Sequence, residues 1–428
     1  MIFQIIGFAL IYLQIGRITD NQAVRLVAII YILTIAINNF LKSSGCYPYH
    51  KIRKIYFLFI LMIVIALVRS SAPVSTVINV IYEVSLFVSC SFFILTSYVY
   101  LIFKRKMDTR SLLTYTLLYP LAIFAGLNML TWILGIKVSN YLVVEDTSTA
   151  VMLSAVGINM KRVIFPLAGG GLNTYGDLLG ALLLIAIVIS FYKVRFINIC
   201  IILLTLASII LVDNRSFLLN ALMSSIGIYF LNKTIFFKYT KNLPVLLVLS
   251  PFILLIYLPI IYASLSSSLL RSDETTDTLL RVIIWTKATF EFSDFKLMHL
   301  IGYGEYGHYG SGVSKQWAYL FKAWTQPNFI GPHNTLFSII FDYGYIGVLL
   351  YIILIRKSIL DVLAIRKIQG DKILPIFVIA FWSYYLISGS TETLNGFYSP
   401  GMMYLFLSMV FVSDFLRYRS QREAVKLA

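Results

Sequence analysis

Residues 177–231 read DLLGALLLIAIVISFYKVRFINICIILLTLASIILVDNRSFLLNALMSSIGIYFL. Three apolar stretches, 177–192, 196–212 and 216–231, follow one another, parted only by Lys193-Val194-Arg195 and by the turn Asp213-Asn214-Arg215. Crossing the hydrocarbon core of a bilayer takes about 17–25 predominantly apolar residues in an α-helix, and repeated stretches near that length read as spanning helices. Outward from this triplet the same pattern recurs. Further apolar stretches lie near 2–15, 26–41, 55–68, 78–103 and 111–135 on one side, and near 243–262, 335–355, 373–390 and 397–416 on the other. Met1 to Ile15 lacks a basic leader and a small-residue cleavage site, so it reads as a retained first helix.

The composition agrees. Of 428 residues, 59% are hydrophobic and only 13% charged, and the mean hydropathy is +0.85. A water-soluble chain has too little polar surface available here to cover its outside. The net charge of +16 would raise nucleic-acid binding in a soluble protein. In this chain the basic residues gather in short links: Lys42, Lys51, Arg53 and Lys54; Lys104, Arg105, Lys106 and Arg110; Lys233, Lys238 and Lys241; Arg356, Lys357, Arg366, Lys367 and Lys372; and a tail with Arg417, Arg419, Arg422 and Lys426. If twelve spans alternate, all of these fall on one side, which the positive-inside bias makes cytoplasmic, with both termini there. The expectation is an all-α integral membrane protein with about twelve transmembrane helices. Residues 1–262 would hold the first nine, with a smaller outer segment at 136–176. A large, partly helical outer loop would fill 263–334, and the last three helices and a cytoplasmic tail 335–428. No nucleic-acid partner is expected; membrane lipids are.

Chemistry is sought on the outer side. Arg215 sits in the very short turn between two spans, where it is either a snorkelling side chain or an anion contact. In the large loop, a helix over Thr276 to Phe290 would place Arg281, Trp285 and Ala288 on one face. Gly302-Tyr303-Gly304-Glu305-Tyr306-Gly307 is a literal GxGxxG, but no βαβ unit surrounds it, so a dinucleotide role is rejected. The glycines Gly302 and Gly304 suit a tight turn, with Tyr303 available to stack on a sugar. Trp317, Trp324, Tyr306 and Tyr309 argue that the loop is ordered. His333 and Asn334 open the span 335–355, where free N–H groups and a positive dipole favour an anion and a histidine suits general-base work. Asp342, Gly344 and Gly347 lie further along the same span. The smaller segment contributes Lys161, Arg162 and Gly169-Gly170-Gly171-Leu172-Asn173.

There is no DxD pair, P-loop, HExxH or GxSxG. His50, His299, His308 and His333 show no metal spacing, and Cys46, Cys90 and Cys200 suggest no disulfide framework. An enzyme built on this chain is expected to work without a metal, cofactor or nucleotide donor.

Taken in order, these motifs resemble the family of bacterial O-antigen polymerases and O-antigen ligases. The matching pattern runs from Arg162 with Gly171 and Asn173, through Arg215-Ser216, to Arg-x3-Trp-x2-Ala at Arg281, Trp285 and Ala288. It continues with Gly302 and Gly304 and ends on His333, Asn334 and Leu336 with Gly344 and Gly347 downstream. The resemblance covers roughly 160–350. It departs at Phe165-Pro166-Leu167-Ala168, where the family often has Asn-Pro-Asn. Membership would imply a metal-independent glycosyltransferase of the GT-C type in the bacterial inner membrane. Its donor would be a glycan on undecaprenyl pyrophosphate, and a protein that regulates chain length would be a further partner. In that reaction Arg215 and Arg281, with Arg162, would hold the pyrophosphate, and His333, or Glu305, would take the acceptor's proton. Asn173, Trp285, Tyr303, Gly304 and Asn334 would line the substrate site. A polymerase is the leading expectation, with a ligase to the lipid A core as its nearest rival. A lipid-linked oligosaccharide flippase is the rival of another class; such transporters place polar groups at the bilayer midplane in repeated halves, whereas here they cluster at one interface.

Overall fold

In lipid no water satisfies the backbone, so an apolar chain must close its hydrogen bonds within helices. The computed structural model describes residues 1–13, 22–46, 53–71, 77–136, 149–154, 156–168, 171–264, 274–321, 327–369, 372–396 and 398–427. The expectations placed on His50, Lys51, Gly169, Gly170 and Trp324 lie outside these residues, as do 137–148 and 265–273 of the two outer segments. Among the described residues the fold is all-α, with a lone bridge between Thr149 and Lys161.

Helices fall on all of the apolar stretches. The first five are α1 (Ile2–Tyr12), α2 (Gln22–Ser43), α3 (Lys54–Val68), α4 (Val77–Lys104) and α5 (Thr109–Ile133). The next four are α6 (Gly171–Ser190), α7 (Phe196–Val212), α8 (Arg215–Leu231) and α9 (Val245–Ser264). Then come α10 (Glu274–Glu291), α11 (Thr335–Gln369), α12 (Ile373–Gly389) and α13 (Pro400–Leu427). Their ends follow local chemistry. Asp108 caps α5 by accepting from the Ser111 amide at 2.9 Å, and Pro400 starts α13 at a position that needs no N–H.

By length and apolarity, four helices qualify to cross a membrane among the described residues: α2, α4, α5 and Asn173–Ser190 of α6. A bent pair, Ile235–Asn242 with Val245–Tyr257, folded by 82°, raises the number to five. Twelve spans are not reached by this measure: α1, α3, α7, α8 and α12 are apolar but run only 11 to 17 residues. Helix α11 is interrupted at Gly344, whose φ of 70° and ψ of −169° leave the helical region.

Burial explains the layering. Helices α6 and α12 are apolar around their whole circumference and are buried on all sides, as such helices must be. They pack with α8, α11 and α13, while α1, α2 and α4 form a flanking group. A closed polar ring joins that group. Gln4 donates to Asn39 at 2.8 Å, Asn39 to Ser97 at 3.1 Å, and Ser97 back to Gln4 at 2.8 Å. Such pairs hold helices together where apolar contact alone does not discriminate protein from lipid.

Charges gather at two opposite ends of α11. At one, Asp361 and Asp414 are buried among cations. Arg53 reaches Asp414 at 2.8 Å and Asp361 at 3.6 Å, Lys357 reaches Asp361 at 2.6 Å, and Arg417 pairs with Asp361. The N-terminal end of α11, beyond the interruption at Gly344, carries the candidate site.

Candidate active site

Helix α10 begins the site. Its apolar face, Ile284, Trp285 and Ala288, is fully buried against Val313, Trp317, Phe337 and Phe341. The Trp285 indole N–H donates to the Pro332 carbonyl at 2.8 Å, and Trp317 donates to Ile330 at 3.1 Å. The 3.6-residue spacing therefore puts Arg281 one turn before Trp285, at the rim of this packing. Trp285 itself is enclosed: it anchors the helix and offers no open face to a sugar.

Arg281 donates through Nη1 to the Thr391 carbonyl at 2.6 Å and through Nη2 to Glu392 Oε1 at 2.7 Å. The other oxygen of Glu392 lies 3.3 Å from His333 Nδ1. One carboxylate thus joins two residues that stand 111 and 59 positions away in the chain. Burial pushes the Glu392 carboxyl up, but the Arg281 charge and the His333 contact outweigh it and hold its pKa at about 2. The carboxylate is ionised throughout the neutral range.

His333 adopts a left-handed backbone, φ 47°, and about a third of its side chain is exposed. The next residue, Asn334, is buried. It caps α11 by accepting from the Phe337 amide at 3.2 Å and donates to the Ser390 carbonyl at 2.7 Å. Thr335 donates to the Glu392 carbonyl at 2.9 Å and accepts from the Leu394 amide at 3.0 Å. The first turn of α11 is therefore laced to the link between α12 and α13, which fixes Glu392 beneath His333.

Arg162 and Arg215 meet at a second place, the turn between α7 and α8. Arg162 Nε donates to the Val212 carbonyl at 3.0 Å, and Arg215 Nε lies 3.9 Å from Asp213 Oδ1. Asp213 also accepts from the Met152 amide at 3.2 Å. This turn belongs to the same end of the bundle. Asn220, five residues into α8, donates to Ser388 at 3.0 Å, three residues before Thr391. Asn173 lies half-buried in the first turn of α6, where the neighbouring Thr174 reaches the Tyr398 carbonyl at 3.4 Å.

The GxGxxG segment has a different task from the sugar platform expected of it. Tyr303 and Gly304 donate their amides to the Phe341 and Asp342 carbonyls at 2.7 and 3.1 Å, at the interruption of α11. Gly307 donates to Asp342 Oδ1 at 2.9 Å. A Cβ on Gly302 would sit 2.4 Å from the Asp342 carbonyl, and one on Gly304 would sit 2.3 Å from that of Arg69. The glycines permit backbone to lie on backbone. Glu305 is held by its main chain between Ala66 and Ser71 at the end of α3. Tyr303 packs half-buried beside the Trp285 cluster. His308 is enclosed, bonded to the Tyr398 hydroxyl at 2.8 Å and the Phe329 carbonyl at 3.2 Å. Burial lowers its pKa to about 4, so it stays neutral.

The structure thus brings Arg281 and His333 together, places Arg162 beside Arg215, and adds Glu392, which sequence reasoning missed. The one signal was a solitary acid in the short link between the last two apolar stretches. Among the described residues several buried polar atoms around this end have no partner: Asn214 Nδ2, Asp177 Oδ1, and both amide atoms of Asn395. Among the described residues no group of three His, Cys, Asp or Glu side chains is arranged to hold a metal ion. No protein-family model matches the sequence, and no curated protein is significantly similar to it.

Proposed function

We propose that the chain is a surface-polysaccharide polymerase of the bacterial inner membrane. It moves a glycan from undecaprenyl pyrophosphate to the terminal sugar of a second lipid-linked repeat unit at the periplasmic face. The observation that carries this reading is the meeting of Arg281 and His333 on one buried carboxylate, at the end of the bundle that also holds Arg215. In this reading the twelve apolar helices alternate across the bilayer, and both termini are cytoplasmic. The interruption of α11 and the 82° bend between Ile235–Asn242 and α9 account for spans that are not single straight helices.

The chemistry follows from charge. When the acceptor hydroxyl attacks the anomeric carbon, the bond from that carbon to the phosphate oxygen breaks and its electron pair leaves with the pyrophosphate. Arg215 and Arg281 stand at the same end to meet that growing negative charge, with Arg162 supporting the turn that carries Arg215. A well-placed donor of this kind is worth about 2.7–4 kcal/mol in the transition state. His333 takes the acceptor's proton. The buried polar atoms nearby that lack partners among the described residues, Asn214 Nδ2, Asp177 Oδ1 and the Asn395 amide, suit a polar guest such as a glycan, because buried polar groups are seldom left without partners. The lipid-linked donor carries its own driving force.

The test is a gel of cell-surface lipopolysaccharide from a strain lacking the gene, complemented with wild type, Arg215→Ala, Arg281→Ala or His333→Ala. The wild type should restore a ladder and the variants should leave a single repeat on the core while inserting normally. Bare core with long glycan still on the lipid carrier would indicate a ligase instead, and an unchanged ladder in the deletion strain would sink both.

A further inference from the structure

Glu392 is used by neither half of the mechanism above, yet it touches both. Its side chain is 11% exposed, and its two oxygens are divided between Arg281 and His333. A carboxylate has lone pairs and no proton to offer, so the His333 Nδ1 facing it must carry the hydrogen. In a neutral imidazole the other nitrogen, Nε2, then has the free lone pair.

We propose that Glu392 is the positioning residue of the site: by accepting from His333 Nδ1 it makes Nε2 the atom that receives the acceptor's proton. The inference rests on the polymerase reading for the source of that proton. As the acceptor oxygen bonds to the anomeric carbon, its hydrogen passes to Nε2 and the carbon–phosphate oxygen bond breaks. The resulting imidazolium keeps its Nδ1–H on Glu392, whose negative charge stabilises it. The proton later leaves Nε2 to the departing pyrophosphate or to water, which restores the starting tautomer. Arg281 has a separate part. By holding Oε1 it fixes the carboxylate in the orientation that presents Oε2 to the ring.

This arrangement makes the isosteric change Glu392→Gln unusually informative. Arg281 can only donate, so it selects the amide oxygen, which turns the amide NH2 toward His333. Nδ1 must then accept, and the hydrogen moves to Nε2, the wrong atom. The experiment is solid-state NMR of full-length protein with nitrogen-15-labelled histidine in lipid bilayers. The His333 signals are assigned by their loss in His333→Ala. At a pH where the ring is neutral, the wild type should show hydrogen on Nδ1, Glu392→Gln should show it on Nε2, and Glu392→Asp should retain the wild-type form. In parallel, transfer is measured from an undecaprenyl-pyrophosphate-linked oligosaccharide. Glu392→Gln should lose kcat by about 100-fold or more, the contribution of a general base, with KM little changed and partial recovery in Glu392→Asp. A wild-type ring with hydrogen on Nε2, or a ring unaltered by Glu392→Gln, overturns the proposal. A wild type that passes the tautomer test but transfers no glycan overturns the polymerase reading and leaves the placement of the proton standing.

Discussion

A carboxylate as enclosed as Glu392 has lost most of its hydration and must recover it from fixed partners. Those partners are Arg281, itself anchored on the Thr391 carbonyl, and His333. Removing one member of a buried pair costs more than replacing both, because the survivor is left charged and alone. Arg281→Ala should therefore destabilise the protein by about 3 kcal/mol, read as a lower unfolding midpoint in detergent, whereas Arg281→Met combined with Glu392→Gln should cost less than Arg281→Ala. The pH dependence has a definite sign. The folded pKa of about 2 lies below the ordinary value of 4.5, so the stabilisation is present above pH 4.5 and is lost as pH falls toward 2. Its size is about 3 kcal/mol by linkage. Titrating from pH 7 to pH 5 should leave this contribution intact, and Glu392→Gln should flatten the loss below pH 4.5. Arg281 and His333 were legible in the sequence because each opens or lines a helix at a recognisable spacing. Glu392 was not: its importance comes from partners distant in the chain, and a lone acid in a short link has no spacing to betray it.

At the scale of the element, α11 and the 302–307 segment form one unit. The interruption at Gly344 frees carbonyls of the helix, and Tyr303 and Gly304 take them. A Cβ at Gly344 would lie 2.4 Å from the Leu300 backbone, and the residue's φ is 70°. Gly344→Ala should then cost about 1–3 kcal/mol through backbone strain alone, with more from the clash. Limited proteolysis around residue 305 should become faster, and unchanged cleavage would mean that the segment is held from elsewhere. Helix positions were legible from apolar runs, since hydropathy acts residue by residue. The GxGxxG was legible as a turn but not as a packing surface, because what a glycine lies against depends on a partner the local sequence does not name.

At the scale of the whole molecule, the two ends of α11 differ in kind. The Arg53, Lys357 and Arg417 end is knit by shared carboxylates across α3, α11 and α13; the other presents a half-exposed histidine and arginines. If twelve spans alternate as proposed, the first end lies in the cytoplasm. With Cys46, Cys90 and Cys200 replaced, a cysteine at Lys315 should react with a membrane-impermeant thiol reagent in intact spheroplasts, and one at Arg422 should react only after lysis. Labelling of both from outside would remove the alternating arrangement. The all-α character was legible from the recurring long apolar stretches. The number of spans was not, because several apolar helices stop at 15 to 17 residues and α11 breaks, and hydropathy is blind to where a helix ends.

The seam between residues 302–307 and α11 also limits how this chain can change over time. Surface loops ordinarily absorb insertions with little penalty. Here the amides of Tyr303, Gly304, Glu305 and Gly307 are each matched to one position on another element, so a single added residue slides the row out of step. Close relatives, where they occur, should vary in length on either side of this hexapeptide and keep its own length constant.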